Sequence, residues 1–510
     1  VSTFAEQALG CRAQHRSSAV QPCQMESPTD PPRFPLDIDI GAGEAVYRQI
    51  YRRIRAAILD GQLLPGARLP SWNALAAELS VARGTVKAAY DWLAGEGYVV
   101  ALGPAGTRVN PALPEASRDP APDAGHAALA GDGPADEAAG FPAAWGSAAR
   151  PFQMGVPALD VFPRKLWSRL AARQATRLAP AGMVYQDPAG LPELRAAIAG
   201  YLAIARGISC TANDVLVTSG FAGAINMITG TLLAAGDRAW IEDPGYGRAR
   251  EALRLAGATI VPVPVDGEGI DVAAGVRRAA DARLAYVTPS HQSPLGMPLS
   301  LPRRLALLDW AGRQKSWIVE DDYYSEFRFA NRPMSALKSL DGEGRVIYVG
   351  TFSKVLLPSL RLGYIVAPAA EADRFRHFAA YLMPSPSQLV QAIVANFIAQ
   401  GHFGRHIRRM RAIYAARRAA LVAALQEAFG DKIAIDLQDG GMHLVVHLPR
   451  GMVDVEIARR AAAAGLGPVP LSPWSLEARC GPGLLLSFAN ILPEDAPQAA
   501  RRLQRIIRAD

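Results

Sequence analysis

Cysteine is scarce in this sequence. The four residues, Cys11, Cys23, Cys210 and Cys480, are scattered over 510 positions and form no CxxC pair. A disulfide scaffold and a cysteine-based zinc cluster are therefore excluded, and a reducing cytoplasm is the expected compartment. Long apolar runs are scarce too. The one long uncharged stretch, Val215 to Gly236, carries four glycines and Asn226 and opens with strand-forming residues. It reads as a buried strand followed by a helix, not as a membrane span. The N-terminus lacks a basic start followed by an apolar run, so no secretory signal is expected. Charge of one sign is not dominant either. The net is +7 on 20% charged residues, which is compatible with nucleic acid but does not by itself point to it.

What is present exceeds one ordinary domain in length. Residues 1–35 are polar and proline-containing and are expected to be a disordered tail. A block with its own apolar pattern covers 36–110. Residues 111–145 are mostly Ala, Pro, Gly and Asp, with one Arg against six carboxylates, and read as a flexible linker. From 146 to 510 apolar strands alternate with amphipathic helices, the pattern of an α/β domain.

Within the first block, Val46, Ile50, Ile54 and Ile58 recur every four residues and make one apolar stripe on a helix that ends at Gly61. Ser71 stands where it can cap a second helix carrying Leu75 and Leu79. A break at Ser80–Val81 leads to a third helix with Val86, Tyr90 and Leu93 facing inward. The residues YVV, GPAG and TRV then form a small hairpin. Helix, helix, turn, helix and β-ribbon is the order of a winged helix-turn-helix. The third helix turns Arg83, Thr85 and Lys87 outward at its N-terminal end, where such a helix meets base edges and phosphates. Eight basic against five acidic residues from Glu44 to Asn110 is too even to decide the matter. The order of elements carries it.

The stretches YRQIYRRIRAAILDGQLLPGARLPS, LAAELSVARGTVKAAYDWLAGEGYV and GPAGTRV resemble the GntR family of bacterial regulators. That resemblance implies contact with double-stranded DNA through Ser71, Arg83, Thr85, Lys87 and the wing at Gly106 and Thr107. Asn73 stands where the family usually has an arginine, which is expected to alter sequence preference or lower affinity.

In the α/β region, the segment RVIYVGTFSKVLLPSLRLGYIV reads as a buried strand that delivers Thr351, Ser353 and Lys354 at its C-terminal end, the edge where α/β sheets bind ligands. Arg361 follows seven residues later. Upstream, SWIVEDDYYSEF is a second apolar strand, ending in Asp321, Asp322 and Tyr323. Together these motifs resemble fold-type I aminotransferases and imply pyridoxal 5'-phosphate. On that resemblance Lys354 holds the cofactor covalently, Asp321 pairs with the pyridine nitrogen and Tyr323 meets the ring hydroxyl. Ser353, Thr351 and Arg361 contact the phosphate. The resemblance also places Ser219, Gly220 and Phe221 at a phosphate-cradling helix N-terminus and Tyr246 against the ring. Arg248 lies near the effector, and Tyr185 reaches the neighbouring subunit's phosphate.

The two halves together resemble the MocR/GabR-type branch of GntR regulators. This implies a winged helix-turn-helix joined to a fold-type I aminotransferase-like effector domain, an α/β fold, in a head-to-tail homodimer. Three positions depart from the pattern. Ala222 replaces the usual Gln of the phosphate turn, and Ser293 replaces the usual Asn near the ring oxygen. Leu485, in GLLLSFAN, stands where aminotransferases place a carboxylate-clamping Arg. A leucine cannot make that bidentate pair. The expectation is a transcriptional regulator that senses pyridoxal phosphate, an amine or an amino acid, with catalysis absent or residual. The alternatives are an aminotransferase with a fused DNA module and a pyridoxal-phosphate sensor controlling vitamin B6 synthesis.

Overall fold

The computed structural model describes residues 38–39, 44–113, 149–177, 183–329, 335–383 and 385–508. The expected tail, 1–35, and nearly all of the expected linker, 111–145, lie outside the described residues. The chain divides into two compact units, Val1–Asp132 and Gly133–Asp510.

In the first unit, helix α1 (Val46–Leu59) buries Ile50, Ile54 and Ile58, so the four-residue repeat becomes the core stripe. Helix α2 (Trp72–Glu78) begins at Ser71, whose hydroxyl accepts from Ala74 N at 3.1 Å. This satisfies one of the amide donors that a helix start leaves open. Helix α3 (Arg83–Gly95) buries Val86, Ala89, Tyr90 and Leu93 against α1 and α2. Strands β1 (Val99–Ala101) and β2 (Thr107–Val109) pair antiparallel around the GPAG turn, where Gly106 takes φ +86°, open to glycine without strain.

The second unit is built on an eight-stranded sheet. Its strands are β3 (Val215–Thr218), β4 (Arg238–Asp243), β5 (Thr259–Asp266), β6 (Gly269–Ile270), β7 (Leu284–Val287), β8 (Trp317–Asp322), β9 (Val346–Thr351) and β10 (Gly363–Val366). The spatial order is β3-β10-β9-β8-β7-β4-β5-β6. The ladders β9–β8–β7–β4–β5 are parallel, and β10 runs antiparallel between β3 and β9. Strands β3, β7, β8 and β10 are buried at every position, which accounts for their near-continuous apolar lettering: helices cover both faces of the sheet. A smaller antiparallel sheet, in the order β11 (Ala434–Asp436), β12 (His443–His447), β14 (Gly483–Ser487) and β13 (Val469–Pro470), completes the unit. Four helices matter below: α4 (Arg164–Arg177), α5 (Gly220–Leu232), α6 (Gln388–Ala399) and α7 (His402–Phe429).

Candidate functional site

The site gathers at the C-terminal ends of the parallel strands. On β8 side chains alternate between the sheet faces. Trp317 and Val319 pack with Tyr286, Ile347 and Val349, which puts Asp321 on that face and Glu320 and Asp322 on the other. The adjacent carboxylates thus have separate tasks. Asp322 is paired with Arg206 at 2.6 Å and accepts from Tyr348 Oη at 2.6 Å, all three buried. Asp321 accepts from Tyr286 Oη, the hydroxyl of a residue on the neighbouring strand β7. Burial pushes its carboxyl up to about 7, against the opposing effects of Tyr286 and of the Lys354 charge. A buried carboxylate in that condition is poised to take up a cationic N–H partner.

Lys354 lies just beyond β9, its amine donating to the Gly155 carbonyl at 3.0 Å. Burial first, and the charge of Arg248 second, bring the amine down to about 8, while Asp321 opposes them. The lysine is thereby turned towards nucleophilic chemistry near neutral pH. Tyr323 Oη is buried and makes no hydrogen bond of ordinary geometry, although Ser293 lies close enough to oppose the burial that raises its pKa. An idle buried hydroxyl beside Asp321 fits a ring-oxygen partner.

The phosphate side is built by backbone. In register across three strands stand Thr218, Gly363 and Thr351. A Cβ at Gly363 would lie 3.0 Å from the Gly350 carbonyl oxygen and 3.1 Å from Gly220 Cα, so only glycine lets the strand ends and the α5 N-terminus close together. Ser219 is the N-cap of α5 and its hydroxyl makes no capping bond, so the first amides of that helix point outward with the helix dipole behind them. Gly220 takes φ +74° and faces the Arg361 backbone. Arg361 itself sits in the left-handed region at φ +48°, which is uncommon for a side chain of its size and typical of functional sites. Ser353 N donates to Thr351 Oγ1 at 3.1 Å, fixing the turn between them. These residues fit pyridoxal phosphate: an amine, a carboxyl for the pyridine nitrogen, a free phenol and a cradle of amides with an arginine.

Phe221 and Tyr246 meet edge to face at 5.2 Å, and Tyr246 stacks on Trp474 at 6.2 Å. Arg248 is exposed, yet its charge is felt at both Lys354 and Tyr246. Ala222 is exposed on the first turn of α5. Leu485 is fully buried on β14, between Val445 and Val469, in an apolar cluster that reaches Tyr246 and Trp474. The wall behind Tyr246 is hydrocarbon. Tyr185 is separate from this group, its side chain fully exposed at 105%. Among the described residues no group of three or more His, Cys, Asp or Glu is placed to hold a metal ion, and no helix is long and apolar enough to cross a membrane.

Sequence reading missed Tyr286, the Gly155 carbonyl and Glu242. Glu242 is a buried carboxyl pushed up to about 7 by burial, and it accepts from Thr288 Oγ1 at 2.6 Å. Tyr286 and Gly155 carry no local motif and enter the site through a neighbouring strand and a distant loop. Glu242 opens the stretch EDPGYGR that bears Tyr246 and Arg248, but the bond that marks it comes from Thr288, beyond the neighbouring strand.

In the first unit Arg83 and Lys87 are exposed and Thr85 half-buried on one side of α3, with Ser71 and Asn73 exposed at the start of α2. Gly106 and Thr107 are half-buried in the wing. A residue not singled out from sequence, Arg68, lays its guanidinium along the wing, where a Cβ on Gly106 would be 3.1 Å from its Nε.

Known proteins match both units. Residues 46–109 match the family described as bacterial regulatory proteins, gntR family, and residues 165–476 match aminotransferase class I and II. The probable rhizopine catabolism regulatory protein MocR of Rhizobium meliloti is 38% identical over 477 residues, covering 92% of this chain and 95% of that protein. The pyridoxine biosynthesis transcriptional regulator PdxR of Corynebacterium glutamicum is 30% identical over 473 residues, covering 90% and 95%. Among solved structures, LysN, the alpha-aminoadipate aminotransferase of Thermus thermophilus, superposes with a TM-score of 0.65 at 28% identity. That match covers 70% of this chain and 92% of LysN, which was solved with N-(5'-phosphopyridoxyl)-L-leucine. A gntR-type winged helix followed by an aminotransferase-like domain, matched over nine-tenths of its length by regulators of the same layout, makes this chain a member of the MocR-type subfamily of GntR transcriptional regulators.

Proposed function

We propose that the chain controls transcription by reading the state of the pyridoxal phosphate held at Lys354. In this reading the chain has a tail at 1–35, a DNA-binding unit at 36–110, a linker at 111–145 and an effector domain at 146–510. The cofactor supplies an aldehyde that reacts with amines. Lys354 holds it, Asp321 faces its pyridine nitrogen, Tyr323 its hydroxyl, and Ser219, Gly220, Thr351, Ser353 and Arg361 its phosphate. Phe221 stands with Ser219 and Gly220 at the phosphate turn, Tyr246 lies against the ring, and Tyr185 completes the phosphate site of a neighbouring subunit in a head-to-tail dimer. Ser71, Arg83, Thr85, Lys87, Gly106 and Thr107 meet the DNA, in a protein of the cytoplasm.

The observation that carries this reading is the combination of an intact lysine–carboxyl–phenol set with a sealed hydrocarbon wall at Leu485. The chemistry for holding the cofactor is complete, while a buried leucine stands at the position where aminotransferases place their carboxylate-clamping Arg, which leaves Arg248 as the candidate anion partner. The effector is pyridoxal phosphate itself, or an amine or amino acid with at most one anionic group, held by Arg248. It acts by binding one arrangement of the dimer better than another. A second reading, an aminotransferase with a fused DNA module, draws support from the lowered amine of Lys354, which is suited to turnover.

The test is direct. Purified protein given pyridoxal phosphate is expected to turn yellow and Lys354→Ala to stay colourless, while Arg83→Ala weakens DNA binding and lowers its salt dependence. Steady turnover of an amino donor and a keto acid, with no DNA bound, would establish the aminotransferase reading in its place.

A further inference from the structure

Helix α4 carries Arg164, Lys165, Arg169, Arg173 and Arg177 and no acidic residue. Helix α7 carries Arg405, Arg408, Arg409, Arg411, Arg417 and Arg418 before its first acid, Glu427, and α6 has no charged residue at all. The three helices share one wall. Trp167 of α4 meets Phe397 of α6 at 5.9 Å, and Phe397 meets His402 of α7 at 5.7 Å. Phe162, two residues ahead of α4, meets His406 at 6.1 Å.

The basic side chains of this face differ in what they do. Arg417 is buried against Asp160 at 2.5 Å, Arg411 donates to the Glu326 carbonyl at 2.5 Å, and Arg418 lies over Phe329 at 5.1 Å. Those three hold the fold. Arg164, Lys165, Arg169, Arg173, Arg405, Arg408 and Arg409 are exposed and make no salt bridge among the described residues. Some exposed arginines elsewhere on this unit find carboxylates within about one turn, as Arg254 does with Glu251 and Arg313 with Asp309. Others, such as Arg501 and Arg505, make no salt bridge among the described residues; what sets this face apart is that its arginines lie together on two helices of one wall. The fields of the exposed set overlap: His402 feels both Arg405 and Arg169, and His406 feels Arg409, each imidazole being lowered by burial first.

We propose that this α4–α7 face of the effector domain is a second DNA-contacting surface, one that grips the duplex backbone without reading its sequence. Arg405 and Arg409 stand one helical turn apart, about 6 Å along the axis. Arg169 stands across from them, and this row of exposed cations has no acid among the residues of α4 or of α7 before Glu427. The Arg405 guanidinium also donates to the Gln400 carbonyl at 3.2 Å and to His402 Nδ1 at 2.6 Å. A chain of phosphates fits that row. Guanidiniums pair phosphate oxygens bidentately, and each pairing releases condensed counterions, so the affinity is salt-dependent and sequence-independent. The winged helix would select the site and this face would hold the flanking duplex. The proposal rests on the regulator reading, but its test does not depend on the cofactor.

The experiment uses the full-length protein and random-sequence duplexes of two lengths, with affinity followed against salt by fluorescence anisotropy. The triple variant R169A/R405A/R409A alters only exposed side chains. On the long duplex its slope of log affinity against log salt is expected to fall by about 2 to 3, about 0.9 for each phosphate left without its arginine. The short duplex, which holds only the winged helix, should show little change, and the Lys versions of the same three positions should restore the slope. Equal slopes for wild type and variant on the long duplex overturn the proposal. Dissociation of the variant into monomers in sedimentation also overturns it, because the face is then a subunit interface. So does selective loss of polyglutamate binding with duplex binding intact, because the partner is then an acidic protein. Unchanged binding by Arg83→Ala at both lengths, with the slope still falling in R169A/R405A/R409A, would instead count against the winged helix alone and leave this face as the DNA contact.

Discussion

Replacing Arg248 by Gln is expected to move the pH at which Lys354 captures pyridoxal phosphate. The amine reacts when neutral. Its ordinary value of 10.5 is brought to about 8 by burial and then by the Arg248 charge, with Asp321 pulling the other way. At pH 7 about a tenth of the amines are then neutral, against roughly 0.03% at the ordinary value, a gain of about 300-fold. Removing Arg248's charge leaves the burial intact and takes away the second cause. The midpoint therefore rises from about 8 towards 10.5 without reaching it, and capture at pH 7 slows about tenfold for each unit of rise. The assay is the rate at which the yellow absorbance of lysine-bound pyridoxal appears after mixing, measured from about pH 6 to 10 in wild type and variant. Capture increases with pH in both, and the variant's curve lies to the alkaline side. Coincident curves, or a wild-type midpoint at the value of a free lysine, refute the electrostatic assignment.

Tyr286→Phe removes the hydrogen bond that holds Asp321 towards its charged form; the carboxyl rises further and cofactor retention weakens by about 1 to 3 kcal/mol, read as a higher Kd in a fluorescence titration. Asp322→Asn, although it neighbours Asp321, removes the salt-bridge partner of the buried Arg206, leaving Ser290 and the fields of Glu320 and Glu326. It is expected to cost about 3 to 5 kcal/mol in denaturant unfolding, where a surface carboxylate would cost almost nothing. Ser71→Ala removes the α2 cap and lowers the stability of the winged-helix unit by about 1 kcal/mol, seen in its thermal transition.

The winged helix was legible from local rules because its core is made by single periodic stripes and its helix starts by single capping residues. Ile50, Ile54 and Ile58 lie where a four-residue repeat puts them, and Ser71 caps the helix it precedes. The strands bearing Asp321 and Lys354 were legible for a similar reason: strands buried on both faces read as unbroken apolar runs ending in polar residues. The division of labour between Asp321 and Asp322 was not legible, since it depends on which face of β8 each occupies and on partners from distant segments, Tyr286 and Arg206. Leu485 was legible as a departure, but its sealing could not be read. Val445, Val469 and Trp474 come to it from separate segments, and only the β12–β14–β13 register brings them together. The basic face has the same origin, because α4 and α7 are far apart in the sequence and meet only through Trp167, Phe397 and His402.

The central claim is that DNA binding answers to a cofactor held by Lys354. Affinity for a retained DNA fragment, measured with and without pyridoxal phosphate in wild type and in Lys354→Ala, tests it most directly. A cofactor-dependent change in wild type that vanishes in Lys354→Ala is the predicted result. An equal affinity in all four measurements, with the wild type visibly yellow, would contradict it.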